Sequence, residues 1–317
     1  MQKVKLKTLL FKISIFLLTV FAGDIFFGSI LKKYYKSQEC GDGHLTTFAI
    51  ENANPQTLIL GSSRAVNIFD PCVFKYELNT KTFNAGRVGQ SIFYHYSVFT
   101  SMLKRHKPEI VILSLDRRDF SVDESDYDRL SELLPFYESH QELKQIFKLR
   151  GPFENIKTLS AIYPYNSLLL PIIRGHICSH HEVHFNGYKP LDKITTSPPP
   201  KINYEVYAIL DTVKINAYKS LIADCKREGI ELFITCPPYF TDATNQDSSL
   251  LIAKKIANEN GINFIDDSDN SFYTSRKEYF ADFRHLNESG SITFSKEVSK
   301  KIKNLLASRL KWEPSSF

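Results

Sequence analysis

The stretch Thr57-Leu58-Ile59-Leu60-Gly61-Ser62-Ser63-Arg64 decides how the rest of the chain is read. Residues 57–60 form a short, mostly apolar run of the kind shown by a strand covered on both faces. Gly61 ends the run and lets the backbone turn sharply, leaving Ser63 just past the carboxyl end of the strand. Open α/β sheets place their ligand sites there. Ser63 is therefore a candidate nucleophile, with its own N–H aimed at a developing oxyanion.

Downstream, the same rhythm repeats. Residues 81–84 read as a second strand ended by Ala85-Gly86, and 91–106 as a helix with a broad apolar face (Phe93, Tyr96, Val98, Phe99, Met102, Leu103). Residues 109–115 (EIVILSL) are a continuous apolar strand. A stretch rich in Tyr, Pro and His, about 117–203, breaks the rhythm and is expected to be an insertion with short helices forming a lid or substrate wall. Order returns with a helix over 204–228, a strand over 230–236 closed by Pro237-Pro238, a helix over 248–260, a strand over 262–265 and a final amphipathic helix over 288–310. Strands alternating with helices predict an α/β fold with a doubly wound parallel sheet.

Two further motifs fall at strand ends. Asn84-Ala85-Gly86-Arg87-Val88-Gly89-Gln90-Ser91 permits a tight loop with a bare N–H at Gly89, a natural second oxyanion donor; its glycine spacing alone is weak evidence for a phosphate site. Asp282-Phe283-Arg284-His285 precedes the last helix and puts a carboxylate and an imidazole on one turn. His285 would accept the proton of Ser63, and Asp282 would hold the other ring nitrogen.

The order Gly61-Ser62-Ser63, then Asn84-x-Gly86-x-x-Gly89, then Asp282-x-x-His285 resembles the SGNH (GDSL-like) hydrolase superfamily over about residues 55–310. The resemblance implies a flavodoxin-like three-layer α/β/α fold and acyl-ester chemistry. Catalytic roles would fall to Ser63, Asp282 and His285, and oxyanion roles to Ser63 and Gly89. Ser62 in place of the family's middle Asp, together with an N-terminal anchor, is similar to the membrane-anchored branch. That branch includes the D-alanine transfer protein of lipoteichoic acid and the alginate acetylation proteins. It implies an O-acyl esterase or O-acyltransferase acting on extracytoplasmic glycans, with a membrane protein as a candidate acyl donor and no cofactor. The chain departs from the family after the third strand. There the family has Gly-x-Asn-Asp and this chain has Ser114-Leu115-Asp116-Arg117-Arg118-Asp119. Losing an oxyanion donor costs about a hundredfold or more in rate. Arg64, Asp116 and Arg117 are the candidate substrate contacts at this edge: either arginine would supply a replacement cation, and an unpaired Asp116 would repel the oxyanion. The alternative function is a catalytically degenerate member that kept the fold as a glycan-binding or assembly scaffold.

The N-terminus sets the compartment. Residues 13–31 are apolar apart from Asp24 and small residues, about the length of a bilayer span, with Lys3, Lys5, Lys7 and Lys12 before or within its start and Lys32, Lys33 and Lys36 after it. An anchor over 1–36 is expected, with the N-terminus cytoplasmic and 37–317 extracytoplasmic, periplasmic or at the cell surface. The competing reading is a signal peptide cleaved near Val20 and Ala22. Of 40 basic residues, these seven lie around the span; the remaining 33 face 35 acidic ones, so the net charge of +5 gives no case for nucleic acid. Of the five cysteines, Cys225 and Cys236 sit in core-like segments, whereas Cys40 and Cys178 could bridge if the domain is exported, a pairing the sequence does not fix. His176, Cys178, His180, His181 and His184 include helical metal-ligand spacings, but a polar surface loop is the plainer reading and no metal is expected. Asn287-Glu288-Ser289 is a formal glycosylation sequon whose residues also suit a helix cap.

Overall fold

The computed structural model describes residues 2–178, 185–203, 209–243 and 246–310. The chain forms two compact units, 1–47 with 127–182, and 48–126 with 183–317.

The first unit is built on α1 (Gln2–Lys36), a single helix in which Lys5–Lys36 is long and apolar enough to cross a membrane; none of its most apolar stretch is buried. Asp24, the charge that interrupts the apolar run, has partners. Its carboxylate accepts from Ser160 Oγ at 2.6 Å and from the N–H groups of Ala161 and Ile162 at 2.7 and 3.3 Å. One turn on, Gly28 lies so close to Ala161 that a Cβ there would be 2.5 Å from its backbone. Tyr35 then packs on Phe136 and Tyr165. Positions 24, 28 and 35 share a helix face, and along it α1 packs against the 127–178 segment. α2 (Gly41–Thr47) follows, and Cys40 is disulfide-bonded to Cys178.

The second unit is the α/β body. Its strands are β1 (Thr57–Gly61), β2 (Thr82–Asn84), β3 (Ile110–Ser114), β4 (Glu231–Cys236) and β5 (Asn263–Asp266). All pairs are parallel and the order is β2-β1-β3-β4-β5. This is the flavodoxin-like order, with its switch point between β1 and β3. Alternation along the strands divides the core. Ile59, Ile110, Ile112, Phe233 and Ile265 share a cluster with Phe69 and Phe74, and with Phe294, Val298 and Ile302 of the last helix. The intervening Leu58, Leu60, Val111, Leu113, Leu232 and Ile234 are also buried, so both faces of the sheet are covered. The helices are α3 (Ser63–Ile68), α4 (Pro71–Leu78), α5 (Ile92–Leu103), α6 (Thr212–Glu228), α7 (Ser248–Glu259) and α8 (Glu288–Leu310). They pack as the resemblance implies: a three-layer α/β/α body.

One sequence expectation is corrected here. The helix expected over 204–228 begins at Thr212, because the Asp211 carboxylate caps it, accepting from Val213 and Lys214 N–H at 2.9 and 3.3 Å; residues 204–208 lie outside the described residues. The stretch after Ser63, to which the sequence pattern assigns no element, is helical, with Asp70 capping α4 through Cys72 N–H ahead of Pro71.

Candidate active site

Ser63 is the first residue of α3, directly beyond β1 and beside the switch point. Gly61 is obligatory there. Its φ is +143°, and a Cβ would lie 2.5 Å from the Ser114 carbonyl on β3. Asn84, at the end of β2, fixes α3 from the other side. Its buried amide donates to the carbonyls of Ala65 and Phe69 at 2.7 and 2.9 Å and accepts from Gly86 N–H at 2.9 Å. The loop carrying Gly89 is fastened to the same edge, since Arg87 N–H donates to the Gly61 carbonyl at 2.9 Å. Residues 87–90 close a turn with Gly89 at φ +72°, and Gly89 is exposed.

The last motif arrives on a closed loop. An antiparallel bridge between Phe280 and Leu286 and a bond from Ala281 N–H to the His285 carbonyl (2.9 Å) shape it. Within it, Asp282 Oδ1 accepts the N–H groups of Arg284 and His285 at 2.8 and 2.9 Å. His285 Nδ1 lies 3.0 Å from both Asp282 oxygens, and its Nε2 lies 2.8 Å from Ser63 Oγ. Ser63 is thus joined to a His–Asp pair more than two hundred positions away in a continuous Ser–His–Asp relay. Burial alone would raise the Asp282 carboxyl. The His285 ring and the two backbone N–H groups outweigh it and hold the group down at about 2, so the carboxylate is ionised at neutral pH. Asn287, beyond this loop, caps α8 by accepting from Gly290 N–H at 3.0 Å, and its amide donates to the Glu278 carbonyl.

The candidate substrate contacts behave differently from the expectation. Arg64 is fully buried. Its Nη2 donates to the carbonyls of Pro237 and Pro238 at 2.6 and 2.7 Å, its Nη1 lies 3.6 Å from Asp116, and its guanidinium stacks 3.6 Å above the Tyr239 ring. Arg117 points to Asp269 (2.6 Å) and also covers Tyr239. Both guanidinium groups are engaged by the protein, because the segments after β4 and β5 supply partners that no local spacing reveals. Asp116 is buried and paired with Arg64, Arg284 and the Tyr239 hydroxyl. Burial would raise its carboxyl, but Arg64 and Arg284 hold it below the usual range. Asp119, half-buried beside it, is pushed well above that range by desolvation and by the Asp116 charge. Arg64 and Arg284 therefore neutralise the Asp116 carboxylate, and the Tyr239 hydroxyl donates to it. The roles of Arg284 and Tyr239 carry no local sequence signal.

The segment after residue 185 borders the relay. Lys189 N–H donates to the Val66 carbonyl of α3, Glu288 N–H to Leu191, and Thr195 N–H to Phe280. Leu191, Asp192 and Lys193 of this segment line a shallow, open cleft. Among the described residues no group of three or more His, Cys, Asp or Glu could hold a metal. His176 meets the Tyr34 carbonyl and Cys178 is in the disulfide, while His180, His181 and His184 lie outside the described residues.

No protein-family model matches the chain, and no curated protein matches it in sequence. Similar solved structures include a Bacteroides fragilis protein described as a candidate acylhydrolase, 12% identical with a TM-score of 0.42 over 82% of this chain and 95% of that one. An acetyl xylan esterase is 14% identical with a TM-score of 0.38 over 78% of this chain and 98% of that one. The class is defined by the chain's own geometry: a flavodoxin-like parallel α/β protein with a Ser–His–Asp relay at the carboxyl edge of its sheet, preceded by an apolar helix that is a candidate membrane span.

Proposed function

We propose that the protein is a serine-dependent O-acyl esterase or O-acyltransferase of SGNH type, acting on extracytoplasmic glycans and held at the membrane by α1. The hydrogen-bonded relay Ser63–His285–Asp282 carries this reading. Ser63 Oγ attacks the acyl carbonyl while His285 Nε2 takes its proton; Asp282 holds Nδ1–H and balances the imidazolium. The N–H groups of Ser63, unpaired within α3 as its first residue, and of Gly89 receive the oxyanion. The imidazolium returns the proton to the departing alcohol. Water or a sugar hydroxyl, deprotonated by His285, then releases the acyl group. A membrane protein handing an acyl group to Ser63 is the partner that transfer would require. The Cys40–Cys178 disulfide and the lysines flanking the apolar run favour placing the body outside the cytoplasm.

The test is covalent labelling of the detergent-solubilised full chain by a fluorophosphonate. Labelling that disappears in both Ser63→Ala and His285→Ala, with folding intact, is the expected result. An unlabelled, well-folded native chain would overturn the enzyme reading and leave the scaffold alternative, for which the missing asparagine after β3 is the supporting observation.

A further inference from the structure

The first unit carries an apolar edge that its own core does not use. Ile156 N–H donates to the Phe153 carbonyl at 3.0 Å and Leu159 N–H to the Ile156 carbonyl at 3.1 Å. Residues 154–157 form a single α-helical turn, and the spacing of three brings Phe153, Ile156 and Leu159 to one side of it. They are 64%, 64% and 79% exposed. The opposite side of the same turn is fixed by polar contacts: Glu154 is buried and binds Lys157 at 2.8 Å and the Tyr163 hydroxyl at 2.9 Å. The exposure is thus a held orientation of three large apolar side chains grouped on one turn.

Its neighbour is α1. Ser160, Ala161 and Ile162, which follow Leu159 directly, are the residues that bind Asp24. The lipid-type surface of α1 does not stop there. Phe26, Phe27 and Ile30 remain exposed, and Ile30 lies six residues, about 9 Å, beyond Asp24 along the helix. The turn carrying Leu159 is therefore joined to α1 at a level where the helix itself still presents apolar side chains outward. Lys32 and Lys33 come only after it.

We propose that the edge formed by Phe153, Ile156 and Leu159 is seated in the outer part of the lipid bilayer, so that the 127–178 segment is a membrane-embedded collar around the exit of α1. The proposal rests on the reading of α1 as a membrane span. It gives Asp24 a purpose: an aspartate saturated by three donors lets the helix carry a protein turn into the interfacial zone without an unsatisfied charge. Seating three large apolar side chains at that depth removes them from water, the same driving force that holds interfacial helices.

Depth-resolved quenching tests this. The chain has one tryptophan, Trp312, so Trp312→Phe gives a silent background. Single tryptophans are placed at Leu159, at Leu17 within the span, and at Gln145, an exposed polar position of the same unit. The full chain is reconstituted into phosphatidylglycerol–phosphatidylcholine vesicles with brominated acyl chains. Leu17→Trp and Leu159→Trp are expected to lose emission relative to unbrominated vesicles, and Gln145→Trp to keep it. Quenching at 17 with none at 159 overturns the collar and leaves the span intact. Shielding of position 159 from aqueous iodide in that case would assign the edge to a protein partner. Equal quenching at 145 and 159 also overturns it, since the edge would then have no special seat. No quenching at 17 removes the span reading itself. Leu159 is exposed, so its replacement leaves the fold in place.

Discussion

The Arg284 guanidinium closes onto the buried Asp116 carboxylate, joining positions 168 residues apart. Arg284 stands between Asp282 and His285, so this contact ties the loop holding two members of the relay to the end of β3. Arg284 is 45% exposed on its side chain, and Arg64 still faces Asp116 when Arg284 is lost. The stability loss in Arg284→Ala should therefore be about 1–2 kcal/mol, below that of a fully buried broken pair. Labelling of Ser63 should slow about tenfold as His285 loses its fixed distance to the hydroxyl. Arg284→Lys keeps the charge and should recover part of both. Thermal unfolding beside probe kinetics reads the two effects, and an unchanged labelling rate in Arg284→Ala would remove the positioning role.

Asp282 sets a pH dependence. Its folded value, about 2, is below the ordinary carboxylate value of about 4. A depressed carboxyl contributes stability that is present above its unfolded value and lost as pH falls through the folded one. Between about pH 4 and pH 2 the native chain should lose melting temperature faster than Asp282→Asn. Parallel curves for the two proteins across that window would refute the assignment of this group.

Asn84 is expected to be a structural keystone for the nucleophile's helix. Asn84→Asp replaces the donor to Ala65 and Phe69 with an oxygen facing two carbonyls, and Asn84→Ala removes the amide from the Phe69 carbonyl and from Gly86 N–H, while the Ala65 carbonyl keeps the Phe69 N–H at 3.2 Å. Each should destabilise the body by about 2–4 kcal/mol, the aspartate the more severely. Urea titration of the two variants decides the order; an aspartate as stable as the native asparagine would show that the amide donors are unused.

How much of this was readable follows from the range of each interaction. The five strands are short apolar runs punctuated by glycine, proline or polar turns, and each punctuation is local, so all five fall within a residue or two of expectation. Ser63 is marked by its strand, and Asp282 and His285 by a spacing of three. The partners of Arg64 are not marked: Pro237 and Pro238 lie 173 and 174 residues away, and only the β3–β4 pairing brings that segment beneath it. A cation beside a candidate nucleophile reads as a substrate contact until that pairing is known. α3 escaped notice because six residues are too few to show a helical period.

Gly61 offers the sharpest test of the β1 edge. Any side chain there meets the Ser114 carbonyl at 2.5 Å and the Ser114 Cβ at 2.9 Å, and β1 and β3 are paired at this point of the sheet, Gly61 opposite Ser114. The backbone φ of +143° adds a conformational penalty for any L-residue. The two effects together should make Gly61→Ala about 2–5 kcal/mol less stable, most of it from displacing the strand end on which Ser63 is mounted. Gly89→Ala is the comparison. Gly89 also has positive φ, at +72°, but it is exposed, so only the conformational part applies, about 1–2 kcal/mol. Differential scanning calorimetry of the two variants should separate them clearly. Equal destabilisation would mean that β1 yields to the added methyl group, and that the close approach of Gly61 to Ser114 is not what fixes the position of the serine.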